Sequence, residues 1–319
     1  MSNPQISILM LSYNSDWVKT RQTLYSILMQ KDVDFEIIVT DDGSENNNFD
    51  KIRQYFFENH FSNFILVENN ENQGTVKNAL SGLKFVNSKW VKPISAGDFL
   101  YNPFVLKMCL NYMKENDAAA YFGTAIYYSN EQNKIELFLD RNAPHDIRPY
   151  LKNKKKLIKY NLFYIGDYIL GASLIYDTAK WIYCLNMMKD FVRFAEDLSV
   201  LYLVAYDEDI KYISLQGDYF MWYEFGSGNS TNNDTKIKRI LHDEGKNVFV
   251  SLVNMKKISK RLIKFRFNVS KCIFKRLFTI LFSSPSMLLR KILFINPDRL
   301  RGYKKFVPNP VFLQDILNS

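Results

Sequence analysis

Phe35-Glu36-Ile37-Ile38-Val39-Thr40-Asp41-Asp42-Gly43-Ser44 decides how this chain folds. A β-branched apolar run breaks at two aspartates and a Gly-Ser turn, which reads as a buried strand ending at a polar loop. Toward the N-terminus, Ile6–Leu11 is a second such run, and Trp17–Gln30 between them reads as a helix with Val18, Leu24, Ile27 and Leu28 apolar. Toward the C-terminus the alternation continues. A helix is expected near Phe49–Glu58, a strand at Phe64–Glu68, a turn at Asn69–Gly74 and a helix to about Val86. Strand Trp90–Ile94 then ends at Ser95-Ala96-Gly97-Asp98, and a helix runs from about Pro103 to Glu115. Strands separated by helices of this length imply βαβ units, an α/β fold and a mostly parallel central sheet. Ligands of such sheets bind at the carboxyl ends of the strands. Both aspartate-bearing turns fall there.

The middle of the chain is less regular. Tyr127–Lys159 reads as loop-rich, with His145 in an exposed loop and Lys152–Lys159 a solvated basic face. Strand Tyr168–Tyr176, helix Thr178–Met188 (Trp181 and Tyr183 facing the core), a helix from Asp197 to Tyr206 and strand Ile210–Leu215 follow, then a loop over Tyr219–Thr231.

Composition limits the classes open to the chain. With 319 residues, 47% hydrophobic and 24% charged, it can bury a full core. Cys109, Cys184 and Cys272 are too scattered for a disulfide framework or a cysteine zinc site. The start of the chain lacks the pattern of a signal peptide. No apolar run reaches the roughly 18–20 residues that span a bilayer. The expectation is a cytoplasmic protein.

Charge is uneven. Net charge is +9, yet residues 255–319 hold 15 Lys/Arg against two acidic residues, so the preceding body is mildly acidic. Within this tail Ile258, Leu262, Phe265, Val269, Ile273, Leu277 and Ile280 step along one helical face, with Lys260, Lys264, Lys271 and Lys275 off it. A basic amphipathic helix of this kind suits a membrane interface. Packing of the stripe on the body is the plainer alternative. No nucleic-acid motif accompanies the tail aromatics, and no nucleic-acid partner is expected.

Neither phosphate-cradling glycine motif occurs. The chemistry-bearing residues are carboxylates at strand ends, Asp41/Asp42 and Asp98, with Asp197 opening a later helix. An acidic site that handles phosphates needs a cation, and oxygen ligands suit Mg²⁺ or Mn²⁺. Taken singly, Asp-Asp-Gly-Ser is equally a turn with a helix cap, and Asp197 equally an N-cap.

Five motifs stand in order: Leu11-Ser12-Tyr13-Asn14, Asp41-Asp42-Gly43-Ser44, Asn72-x-Gly74, Ser95-Ala96-Gly97-Asp98 and Glu196-Asp197. In order and spacing they resemble the family 2 glycosyltransferases, inverting enzymes of the GT-A fold, over about residues 4–231. Trp222-Tyr223-Glu224-Phe225-Gly226-x-Gly228-x-Ser230-Thr231 resembles that family's aromatic, Gly-rich acceptor-side loop. The resemblance implies that Tyr13, flanked by Ser12 and Asn14, stacks on uracil and that Asp42, with Asp41 beside it, accepts the uracil N–H. It implies that Asn72, Gly74, Lys77 and Ser95 lie along the nucleotide. Asp98 would hold the metal, Mn²⁺ or Mg²⁺, and Asp197 would be the general base. Glu196, Trp222, Tyr223 and Gly226 would face the acceptor.

The sequence departs from the family pattern where Ser95 and Gly97 replace acids, which weakens any metal site. It also lacks the Gln-x-x-Arg-Trp of processive synthases, which implies one sugar per acceptor. The expected protein has a GT-A domain over 1–235, with a nucleotide-sugar half to 120 and an acceptor half after it, then a basic extension over 236–319. It would move a single sugar from a nucleotide sugar, expected to be a UDP-sugar, to a lipid-linked saccharide of a bacterial capsule, O-antigen or related surface glycan. It would sit peripherally on the inner face of the cytoplasmic membrane, held to anionic lipid by residues 255–305. The rival reading is a catalytically silent GT-A-like nucleotide-binding or partner subunit.

Overall fold

The structure, a computed structural model, describes residues 3–131, 134–215, 219–226, 235–267, 300–304 and 306–319. The first part alternates as the sequence predicts: β1 (Ile6–Ser12), α1 (Trp17–Leu28), β2 (Phe35–Asp41), α2 (Phe49–Glu58), β3 (Phe64–Glu68), α3 (Thr75–Leu83) and β4 (Trp90–Ser95). Every residue of β1 is buried, as are all of β2 after Phe35. Continuous burial needs cover on both faces. Side chains supply it by alternation, since Ile6, Ile8 and Met10 enter one apolar core while Leu9 and Leu11 enter the core on the opposite face.

After β5 (Asp98–Leu100), α4 (Val105–Glu115) and β6 (Ala120–Phe122), the chain makes a hairpin, β7 (Ala125–Glu131) and β8 (Lys134–Phe138). Two short helices follow, α5 (Arg148–Leu151) and α6 (Lys155–Tyr160), then β9 (Leu174–Asp177), α7 (Thr178–Met188), α8 (Ser199–Ala205), β10 (Ile210–Tyr212) and β11 (Met221–Glu224). The large sheet has the order β10-β6-β9-β4-β1-β2-β3. β4, β1, β2 and β3 are mutually parallel, and β9 runs antiparallel to both of its neighbours. A smaller sheet has the order β5-β11-β7-β8.

Three sequence expectations change here. The stretch 127–159, predicted loop-rich, carries β7, β8, α5 and α6. In β7, Ile126 and Tyr128 pack into a third core while Ala125 and Tyr127 pack into the second. A short strand buried on both faces shows no polar alternation in sequence, so it escapes notice. The predicted loop over 219–231 contains β11 for the same reason. The predicted strand over 168–176 shrinks to β9, because Gly171–Ser173 form a 3₁₀ turn. Trp181 is core as expected, whereas Tyr183 is exposed.

Two pieces of the C-terminal extension pack on this body. α9 (Thr235–Asn254) buries Glu244, Val248, Phe249 and Leu252. Leu262 of α10 (Lys260–Phe267) enters the same core, and Ile258 packs against it. These first two members of the amphipathic stripe are therefore spent on the protein itself. The remaining stripe positions, from the Phe265 side chain through Ile280, lie outside the described residues. Farther on, the Arg301 N–H donates to His145 O (2.7 Å), and the Tyr303 hydroxyl to Pro144 O (2.6 Å). α11 (Val311–Asn318) buries Leu313 and Ile316 in the third core beside Phe99, Tyr128 and Trp222. Among the described residues no helix is long and apolar enough to cross a membrane.

Candidate active site

Register builds the site. Ser12 pairs with Asp41 across β1 and β2, and Leu11 with Ser95 across β1 and β4. Three parallel strands thus end level, about 4.8 Å apart, and release Ser12–Asn14, Asp41–Ser44 and Ser95–Asp98 side by side. Hydrogen bonds staple these exits. The Asp42 N–H donates to Ser12 O (2.9 Å), and the Asn14 N–H to Ser44 Oγ (2.7 Å). Asn14 stands at φ +45°, the sharp bend that carries the chain out of β1. Tyr13, next to it, is 49% exposed over this edge.

Asp41 and Asp42 do different work. Both oxygens of Asp41 are taken by Ser44, through its N–H (2.8 Å) and its hydroxyl (2.8 Å), so Asp41 closes the turn. Asp42 is nearly buried and accepts the N–H groups of Gln73 (2.9 Å) and Gly74 (2.8 Å). A carboxylate has about four acceptor sites, so lone pairs remain for a further donor. Gly74 stands at φ +90°, and a Cβ there would lie 2.1 Å from Arg193 Cγ. Only glycine permits this approach. Asn72 accepts the Arg193 guanidinium on its backbone O (3.0 Å) and its Oδ1 (2.7 Å). Lys77 is exposed and lines a groove of about 460 Å³ between α3 and α7.

Asp98 lies past the turn Ser95–Gly97, in which Gly97 has φ +96° and Ser95 is exposed. Its strand pairs with β11, setting Tyr223 opposite it. Burial pushes the Asp98 carboxyl up, against the pull of Lys92 and of the Ser95 backbone, and the charge of Glu224 adds to the rise. Lys92 is fully buried in β4; its ammonium donates to Pro93 O and to Ala172 O (2.6 Å), and burial pushes its pKa down. Glu224 accepts Lys19 Nζ at 2.5 Å, and its Oε2 lies 3.6 Å from where a Gly97 side chain would begin. A second carboxylate thus stands where the sequence lacks one. Sequence reading passed over Lys19 and Glu224, which meet across 205 residues, and Lys92, whose burial the chain does not display.

Glu196 and Asp197 form a 3₁₀ turn before α8, and that helix begins without a side-chain cap. Burial first, and then the neighbouring Asp197 charge, push the Glu196 carboxyl up, with Asp98 and Glu244 adding to the rise. Burial pushes Asp197 up too; its own N–H and that of Leu198 oppose this, and the charge of Glu244 adds to it. Gly171 fits against Asp197, since a Cβ there would be 3.0 Å from Asp197 Cβ. Tyr168, half exposed, feels the Asp197 charge. Of the residues expected to face the acceptor, Tyr223 is nearly buried and Gly226 is an exposed turn residue at φ +90°. Trp222 corrects the expectation. It is fully buried, its Nε1–H donates to Tyr101 O (3.1 Å), and its ring packs on Tyr101, so it supports this edge from behind. His145 is less exposed than its loop suggested, with Nδ1 at 3.1 Å from the buried Asp167.

Residues 7–173 match the family model for Glycosyl transferase family 2, more than half of the chain, and the chain belongs to that family. Its fold is GT-A and it is a glycosyltransferase. Enzymes of this kind often use a divalent metal. A crystal structure of S. aureus TarS 1-349 in complex with UDP-GlcNAc is similar at 17% identity and a TM-score of 0.53, covering 91% of this chain and 79% of that one. The same TarS fragment without that ligand is similar at 18% identity and a TM-score of 0.49, covering 90% and 83%. Comparison with curated protein sequences gives no match. Asp197, Glu224 and Glu244 all lie beyond the residues matched to the family.

Proposed function

We propose that the chain transfers one sugar from a UDP-sugar to a saccharide acceptor with inversion, using Asp197 as general base. One observation carries this reading: Asp197, from far along the chain, packs against Gly171, and the residue after that glycine, Ala172, accepts on its backbone O (2.6 Å) the ammonium of Lys92 from the strand that leads to the Ser95–Asp98 turn. The likeness to a protein crystallised with UDP-GlcNAc supports a uridine diphosphate sugar as the donor class. Tyr13 offers an exposed ring to the base, and Asp42 offers its remaining lone pairs to a ring N–H. An acceptor hydroxyl beside Asp197 gives its proton to that carboxylate and attacks the anomeric carbon opposite the nucleotide. A base pushed up by burial is better matched to proton abstraction near neutrality.

Among the described residues no cluster of three or more ligating side chains occurs. Asp98, with Glu224 if it exchanged its bond to Lys19, would hold a hard divalent cation through carboxylate oxygen. Such an ion, Mn²⁺ or Mg²⁺, would offset charge on the departing diphosphate. The acceptor we infer is a lipid-linked saccharide of a bacterial surface glycan, met at the inner face of the membrane through the basic stretch of residues 255–305. The excess of Lys/Arg there supports this.

The test is nucleotide release from a panel of UDP-, GDP- and dTDP-sugars, with and without Mn²⁺, for the wild type and Asp197→Asn. Metal-stimulated hydrolysis of one UDP-sugar, lost in the variant, is expected. Silence across the panel together with no calorimetric binding of UDP would overturn the reading and favour a non-catalytic subunit.

A further inference from the structure

Glu244 lies on α9, outside the stretch matched to the family, and is 5% exposed. Its carboxylate accepts the backbone N–H groups of three consecutive residues: Arg193 (2.9 Å to Oε1), Phe194 (3.1 and 3.2 Å to the two oxygens) and Ala195 (3.0 Å to Oε2). Ala195 immediately precedes Glu196. Successive N–H groups converge on one anion only if the backbone holds a fixed concave curve. The anion itself is fixed, because Val248, Phe249 and Leu252 anchor α9 in the core.

The same loop grips the donor side. Besides the guanidinium bonds to Asn72, the Arg193 carbonyl accepts the Val76 N–H (3.1 Å). Between those two points lie the Gln73 and Gly74 amides that hold Asp42. A continuous hydrogen-bonded path therefore runs from α9 through 193–195 to 72–76 and Asp42, with Asp197 two residues beyond its midpoint.

We propose that Glu244 is a positioning residue. By gathering the 193–195 amides it sets the Glu196–Asp197 turn against the donor loop 72–76, so that base and nucleotide are held in one frame. This rests on the transferase reading above. It is a claim about geometry, and it explains why a helix outside the recognisable domain is bound so closely to the site.

The full chain carrying Glu244→Gln, Glu244→Ala or Arg193→Ala tests it by two independent readouts, backbone amide hydrogen exchange and the pH profile of donor turnover. Glu244→Gln preserves shape and supplies a folded variant should Glu244→Ala not fold. Both Glu244 variants should speed exchange over 193–195 by about tenfold or more, as those amides lose an acceptor. Turnover should fall about 10- to 100-fold in kcat with donor KM nearly unchanged, the mark of a displaced base. The acid limb should move to lower pH. Of the charges around Asp197 (Glu196 beside it, Asp98 acting on Glu196, Glu244 behind), only the last is removed, and its charge raises Asp197. Arg193→Ala should instead speed exchange over 72–76 and raise donor KM, leaving the acid limb in place. Unchanged exchange over 193–195, or slowed turnover with the acid limb unmoved, would overturn the proposal. A wild type that turns over no donor removes the transferase reading, and exchange alone then decides whether Glu244 holds the loop.

Discussion

Each carboxylate of the site acquires its role from what already occupies its oxygens. Asp41 is held by Ser44 within its own turn, Asp42 by two amides of the 72–76 loop, and Asp197 by packing against Gly171. Replacing Asp197 by Asn should lower kcat by about 10²–10⁴, the usual worth of a general base, while UDP affinity by calorimetry stays within a few-fold. The sign of the pH dependence follows from the raised pKa. The base works only when ionised, so activity should fall as pH drops through a limb lying above the ordinary aspartate value of about 3.9. A limb at or below that value in a kcat profile would count against Asp197. Gly171→Ala is a sharper probe, since its new methyl would sit 3.0 Å from Asp197 Cβ and push the base aside. It should reduce kcat while the thermal midpoint moves little.

At the scale of elements, the site is an edge shared by loops whose spacing is set by strand register. The donor loop before α3 depends on a backbone turn that only Gly74 can make. Gly74→Ala should cost more than about 1 kcal/mol by chemical denaturation, through strain at positive φ, and should also weaken UDP binding because the amides that hold Asp42 must shift. α11 closes a different face. Ile316 is fully buried with Phe99 and Trp222, and the Gln22 side chain of α1 donates to Leu317 O (3.0 Å). Ile316→Ala should therefore cost about 2–5 kcal/mol, as for other large-to-small core changes. An unchanged urea midpoint would show that α11 is only loosely held.

For the whole molecule, the tail is the open question the charge count poses. Within it, α10 and residues 300–304 and 306–319 lie on the body. Replacing Lys271, Lys275, Arg276, Arg290 and Lys291 by Ser should weaken sedimentation with anionic vesicles, each contributing about 1 kcal/mol near such a surface. Neutral vesicles serve as the control. Retention on anionic vesicles by the substituted protein would place membrane affinity elsewhere.

Sequence alone determined the parallel half of this fold, because βαβ units write both periods plainly: apolar runs of strand length, amphipathic helices between them, and turn residues at the strand ends. It also picked out the loops that the strand ends set side by side, Ser12–Asn14, Asp41–Ser44 and Ser95–Asp98, since strand-end loops keep their residues together in the chain. The tertiary structure decided the rest. β7 and β11 are short and covered on both faces, so their burial leaves no alternating pattern to read, and β8 is a five-residue strand whose pairing with β7 gives it its place. Trp222 looked like a loop residue until β11 placed it in a core. Glu224 beside Gly97 and Glu244 behind Asp197 become part of the site only through pairings across tens to hundreds of residues, and Lys92, though near Asp98 in the chain, joins it only because β4 buries its ammonium there. The charge that tunes a carboxylate acts through space, and linear order does not record that distance.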